Sequence, residues 1–265
     1  MITANTRLLG VFGNPVSQSL SPLIHNAAIA RAGFDAVYLA FKTESANQAT
    51  ESIRAMGMAG ANITIPFKVS IINSMDKLHV TARQIGAVNT IVNNKGILTG
   101  YNTDASGAIM ALKQRTKIKG KHAVVLGAGG AARAVTYGLI QEGAMVTVAN
   151  RTVSRAKALA RHFSCDFVPL ARAGSLAADI LINTTSVGMG TNKAPIKLRH
   201  RYDVVFDIVY KPKTTELLRQ AARKGAATIP GLDMLVYQAA ESFRLWFGKE
   251  PDVRLMKAVA ARHSQ

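Results

Sequence analysis

Four short stretches between residues 13 and 104 gather side chains suited to holding a polyhydroxylated carboxylate and moving a proton on it. Gly13-Asn14-Pro15 opens a loop that carries Ser17, Ser19 and Ser21. Asn62-Ile63-Thr64-Ile65-Pro66-Phe67-Lys68 closes an apolar run. Asn89 and Thr90 end Gly86-Ala87-Val88-Asn89-Thr90, and Asn102-Thr103-Asp104 follows Gly100-Tyr101. Hydroxyls and amides fix a ligand's orientation, and Lys68 with Asp104 can carry a proton to or from a reacting oxygen. Singly, each has a plainer reading: Ser21 caps a helix, Asn89 and Asn102 form turns, and a lone lysine is a solvated charge. In an open parallel sheet, strand ends are where a ligand site belongs.

A second constellation lies further along. Gly127-Ala128-Gly129-Gly130-Ala131-Ala132 has the pattern G-x-G-x-x-A, after the apolar strand His122–Leu126 and before a helical stretch. Gly127 permits the tight turn, Gly129 lets backbone approach a pyrophosphate, and Ala132 lets helix and strand pack closely. The diphosphate then sits at a helix N-terminus, where free N–H groups and the dipole favour an anion. The plainer reading is an ordinary strand–helix turn.

The following strand ends at Asn150-Arg151-Thr152, with Ser154 and Arg155 beside it. An NAD site usually places Asp or Glu here for the ribose 2′-hydroxyl. This chain has no acid there. A guanidinium grips a 2′-phosphate in bidentate fashion, which a carboxylate would repel. NADP is therefore the expected cofactor.

The elements that must position these groups read as alternating strands and helices. The first part predicts strands at 8–12, 36–41, 60–65 and 88–93, and helices at 22–32, 47–56 and 68–75, the first capped by Ser21 and ended by Gly33. The second predicts strands at 122–126, 145–150, 180–183, 204–209 and 227–229, with helices at 105–114, 130–142, 154–163 and 214–224. Helices at 233–247 and 252–262 close the chain. This rhythm implies parallel pairing. The fold class is α/β: a mostly parallel substrate domain at 1–103, completed by 233–265, a Rossmann-type domain at 104–232, and a cleft between.

Composition narrows the class. The chain has 265 residues, 48% hydrophobic and 18% charged, which excludes disorder as its main state. The single cysteine, Cys165, excludes an internal disulfide and a Cys-based zinc site, and no metal site is expected. No apolar run approaches the ~18 residues of a membrane span, and no signal peptide is read at the N-terminus, so a cytoplasmic protein is expected. The net charge is +18, with +4 in residues 1–103 and +14 in residues 104–265. The basic residues are scattered, the nearest tract being Lys113-x-Arg115-x-Lys117-x-Lys119-x-Lys121. Attraction of anionic small molecules explains such charge better than a specific nucleic-acid site.

Taken together the stretches resemble the shikimate dehydrogenase family. Gly13 to Asn26, Asn62 to Lys68, Gly86 to Thr90, Asn102 to Asp104, Gly127 to Arg133, Asn150 to Thr152 and Gly231 to Ala240 occur in the family's order. The resemblance implies reversible reduction of 3-dehydroshikimate to shikimate by NADPH, in the route to chorismate and aromatic amino acids. It implies Lys68 and Asp104 as the catalytic pair. Ser19, Ser21, Thr64, Asn89 and Gln238 become substrate ligands, with Tyr210 beside them. Ile208 and Gly231 match positions that approach the nicotinamide, and Asn183-Thr184-Thr185-Ser186-x-Gly188 matches a loop on the cofactor side. His25 and Asn26 read as structural. Ala105 stands where the family often has Gly, and Arg199-His200-Arg201 is more basic than the pattern leads one to expect.

Two alternatives stay open. One is a quinate or quinate/shikimate dehydrogenase, with NAD. The other is a catalytically silent NADP-binding regulator or a basic nucleic-acid binder. Presence of both Lys68 and Asp104 argues against the silent reading. Monomer and homodimer are both compatible with the sequence.

Overall fold

The computed structural model describes residues 2–264. They form two compact units: residues up to Thr103 with Gln238–His263, and Asp104–Tyr237 with Ser264.

In the first unit β1 (Arg7–Gly13), α1 (Ser21–Ala32), β2 (Ala36–Lys42), α2 (Ala46–Ala55) and β3 (Gly60–Ile63) alternate as expected. A 3-10 turn at Ser70–Ser74, β4 (Lys77–Leu78), α3 (Val80–Ile85), β5 (Thr90–Asn94) and β6 (Ile97–Tyr101) follow. The sheet order is β2-β1-β3-β5-β6-β4. β1 pairs in parallel with β2 and β3, but β5 runs antiparallel to both β3 and β6. The expectation of parallel pairing fails here for a local reason. Lys95 (φ 51°) and Gly96 (φ 88°) are both left-handed, the geometry of a two-residue hairpin, which leaves no room for a crossover helix. The helix expected at 68–75 is only the short 3-10 turn; the Phe67 carbonyl accepts from the Ile71 N–H at 2.9 Å and from Ser70 Oγ at 3.3 Å, and the helical bonding goes no further than Ser74. Ser21 does not cap α1. Leu20 holds that position without a side-chain bond, and Ser21 is buried in the first turn.

The second unit carries α4 (Asp104–Lys113), β7 (His122–Leu126), α5 (Gly130–Gln141), β8 (Met145–Asn150), α6 (Val153–Phe163), β9 (Asp166–Pro169) and α7 (Leu170–Ala173). It continues with β10 (Ile180–Asn183), β11 (Val204–Asp207), α8 (Glu216–Arg223) and β12 (Ala227–Pro230). Its sheet is parallel throughout, in the order β12-β11-β10-β7-β8-β9 of a doubly wound dinucleotide fold. Ala123 to Leu126 are fully buried, as a strand covered on both faces requires. β9 and α7 escape the sequence pattern because β9 is a short edge strand with three exposed residues, ending in proline.

The last helices are α9 (Gly231–Phe247) and α10 (Val253–Arg262). The chain passes back to the first unit inside α9, at Gln238 rather than at Asp233. Trp246 of α9 anchors that return: its Nε1 donates to the Ile91 carbonyl at 2.9 Å, and its ring tilts against His25 and Tyr38. No helix among the described residues is long and apolar enough to cross a membrane.

Candidate functional site

In the first unit the polar residues stand at the ends of strands. Ser19 Oγ accepts from the Ser21 backbone N–H at 3.3 Å, so the two serines share one turn at the start of α1. Thr64 and Lys68 follow β3 directly, and both are half-buried. The segment is held from two sides: Thr64 N–H donates to the Phe12 carbonyl at 2.9 Å, and Val88 N–H donates to the Lys68 carbonyl at 2.8 Å. A Cβ on Gly13 would collide with the Thr64 side chain, so glycine there lets β1 and this segment approach.

Asn89 and Gln238 are buried and meet directly: Asn89 Nδ2 donates to Gln238 Oε1 at 3.2 Å. Asn89 Oδ1 accepts from the Thr103 backbone N–H at 2.7 Å, which anchors the residue immediately before Asp104. Asp104 itself is buried and opens α4. It belongs to the second unit, while Lys68 belongs to the first.

In the second unit Gly127 has φ +117°, a conformation side chains rarely adopt. Gly129 is the N-cap of α5, and a Cβ added there would meet no atom within 4 Å. The loop is thus open above a helix N-terminus, the arrangement that takes a diphosphate. Ala128, Gly130 and Ala131 line the same turn, half-buried. At the end of the next strand Asn150 Nδ2 donates to the Thr152 carbonyl at 3.0 Å, and Arg151, Thr152 and Arg155 are exposed. Arg151 faces a cleft of about 440 Å³ that Lys197 and Arg199 also line, together with Pro169, Leu170 and Ile196. Among the described residues no carboxylate lines this cleft, so it favours an anion. The donor set fits NADP.

A buried carboxylate orders two further loops. Asp207 Oδ1 accepts from Asn183 Nδ2 at 2.9 Å and from the Val209 N–H at 3.1 Å, and Oδ2 accepts from Thr215 Oγ1 at 2.7 Å. Asn183 Oδ1 in turn accepts from Thr185 N–H and Oγ1. Burial pushes the Asp207 carboxyl up to about 6, against the pull of these three donors. The arrangement positions the 184–187 loop and Ile208 together. Ile208 also abuts Gly231, where any Cβ would strike the Ile208 carbonyl. Tyr210 is half-buried two residues on.

Comparison with known proteins agrees with this layout. Family models described as the shikimate dehydrogenase substrate binding domain, shikimate/quinate 5-dehydrogenase and the shikimate 5′-dehydrogenase C-terminal domain match residues 11–91, 109–210 and 231–260. A shikimate dehydrogenase (NADP(+)) from Pyrococcus abyssi is 46% identical over 264 residues, covering 96% of this chain and 97% of the relative. The chain belongs to the shikimate dehydrogenase family. Solved members share its fold. A shikimate dehydrogenase crystallised with NADP+ is 38% identical with TM-score 0.93, covering 100% of this chain and 98% of that one. One from Thermus thermophilus, in complex with NADP(H) and shikimate, is 38% identical with TM-score 0.90, covering 97% and 99%.

Sequence reasoning missed several residues that the structure ties to this family's site segments. Tyr38 and Ser242 are buried among the polar residues of the first unit, and Lys197 lines the Arg151 cleft. Ser242 lies one helical turn beyond Gln238, but only the fold brings it to Asn62 and Thr90.

Proposed function

We propose that this chain interconverts 3-dehydroshikimate and shikimate with NADP(H); its relatives are named shikimate dehydrogenase (NADP(+)). The open glycine turn at the α5 N-terminus, with Arg151 and no acid at the end of β8, supports NADP on this chain's own residues. NADPH supplies the hydride. Lys68 and Asp104 hold and move the proton at the reacting oxygen: the ammonium donates as the ketone becomes an alcohol, and the carboxylate stabilises the ammonium. Ser19 and Ser21 engage the substrate carboxylate. Thr64, Asn89 and Gln238 orient its hydroxyls, with Tyr210 beside them. Oε1 of Gln238 is engaged by Asn89, so a ligand oxygen meets this amide at its donor end. Gly127 to Ala131, Asn150, Arg151, Thr152 and Arg155 hold the dinucleotide, and Ile208 with Gly231 flanks the nicotinamide. The surplus positive charge raises encounter rates with both anions.

The test is absorbance of reduced cofactor at neutral pH with four combinations: shikimate or quinate, each with NADP+ or NAD+. Turnover with shikimate and NADP+ exceeding the other three supports the reading. No turnover with shikimate, or a preference for quinate with NAD+, contradicts it.

A further inference from the structure

A hydrogen-bonded chain of buried side chains runs through the first unit from Tyr38 to Gln238. The Ser21 hydroxyl lies beside Tyr38 Oη, which donates to Asn62 Oδ1 at 2.7 Å. Asn62 Nδ2 donates to Thr90 Oγ1 at 3.0 Å and to Ser242 Oγ at 3.1 Å. Ser242 Oγ lies 2.8 Å from Thr90 Oγ1 and 3.2 Å from Thr103 Oγ1, and it donates back along α9 to the Gln238 carbonyl at 3.0 Å. Thr103 Oγ1 accepts from Asn89 Nδ2 at 2.9 Å, and Asn89 Nδ2 reaches Gln238 Oε1.

Ser242 is the node of this chain, with no exposed surface. A serine inside a helix often bonds the carbonyl one turn back and needs nothing more. Ser242 makes that bond and also meets Asn62 of β3, Thr90 of β5 and Thr103. A hydroxyl has one proton and two lone pairs, so these neighbours use its full capacity. A satisfied buried network is rigid, and truncating one member leaves the others without partners at low dielectric.

We propose that Ser242 is a positioning residue for substrate, acting through Gln238 and Asn89. Its hydroxyl ties the turn of α9 that bears Gln238 to β3 and β5, so both amides are set before the ligand arrives and less ordering accompanies binding. This rests on the reading of Gln238 and Asn89 as shikimate ligands.

Calorimetric titration of the full chain with shikimate, and separately with NADP+, tests the proposal. The proteins are the parent, Ser242→Ala, Gln238→Ala, the double variant, Thr90→Val and Thr90→Ser. Ser242→Ala should weaken shikimate by roughly 5- to 100-fold, the range of one buried polar group left unpaired, with NADP+ affinity unchanged. The double variant should bind shikimate almost as Gln238→Ala does, because the two act as one unit. Thr90→Val should reproduce the loss and Thr90→Ser restore it, which decides the matter even if Ser242→Ala fails to fold. A folded Ser242→Ala that binds shikimate within twofold of the parent, effects that multiply, or Thr90→Ser as damaging as Thr90→Val each overturns the inference. A parent that binds no shikimate overturns it together with the reading beneath it.

Discussion

A Cβ on Gly127 would lie 2.6 Å from Thr184 Oγ1, and Thr184 cannot yield, because that hydroxyl donates to the Leu126 carbonyl at 2.6 Å. Two strand ends of the dinucleotide unit are thereby locked at a spacing only glycine permits. The positive φ of Gly127 adds backbone strain for any other residue, roughly 1–3 kcal/mol. Gly127→Ala should therefore weaken NADP+ by about 5- to 100-fold while leaving shikimate affinity unchanged. Fluorescence titration with each ligand checks this, and unchanged NADP+ binding would show that the loop adapts.

Cofactor preference should reside in Arg151. A hydrogen bond to a charged group contributes about 1.5–3 kcal/mol, or roughly 10- to 150-fold. Arg151→Ala should weaken NADP+ by that factor and leave NAD+ nearly unchanged. Raising salt should erode the NADP+ preference of the parent, since Arg151 and Arg155 are exposed. Equal loss for both cofactors would place the 2′-phosphate elsewhere.

His25 makes the fold acid-sensitive. It is fully buried, stacked on Tyr38 at 4.4 Å, and neither ring nitrogen has a hydrogen-bond partner among the described residues; Asn62 lies close without bonding geometry. Burial drives its pKa down to about 3 from 6.5. The unfolded chain takes up a proton below 6.5 that the folded chain refuses, so stability falls as pH drops from 6.5 toward 3. By a pH of about 5 the loss is about 2 kcal/mol. His25→Phe keeps a stacked ring and removes this term. Urea unfolding at neutral pH and near pH ~5 should show a smaller acid loss in the variant; an identical loss would assign the sensitivity to other groups.

Asp207 acts with the opposite sign. Its pKa is raised to about 6, so between about 4 and 6 the folded chain binds a proton that the unfolded chain has released. Its contribution therefore grows as pH falls from about 7 to about 5, by about 1 kcal/mol. Asp207→Asn abolishes that gain. It also leaves one acceptor oxygen facing three donors, so the variant should be less stable at neutral pH by about 1–3 kcal/mol. Urea midpoints at the two pH values measure both effects; a variant that still gains on acidification would contradict the assignment.

The dinucleotide unit was legible because its signals are local. The buried run before Gly127, the glycine turn and the missing acid at Asn150-Arg151-Thr152 lie within a few dozen residues of each other. The hairpin of β5 and β6 was not, because Ile97–Tyr101 lacks a strong apolar alternation and its turn residues, Lys95 and Gly96, do not form an obvious signal. Asn89, Gln238 and Lys68 could be named from motifs, but the contact between Asn89 and Gln238 spans a sequence separation of 149 residues, and no periodicity encodes it. Ser242 went unseen for the same reason: only the return of α9 to the first unit brings it to Asn62 and Thr90.

In the proposed function Lys68 and Asp104 move the proton in an NADP-dependent oxidation of shikimate. Steady-state kinetics with shikimate and NADP+ on the parent, Lys68→Ala, Asp104→Asn and the double variant tests it most directly. Lys68→Ala should lower kcat by about 10²–10⁴-fold with a smaller change in shikimate KM and intact NADP+ binding. Asp104→Asn should lose a comparable factor, and the double variant should lose far less than the product of the two. Near-normal turnover in Lys68→Ala would contradict the account.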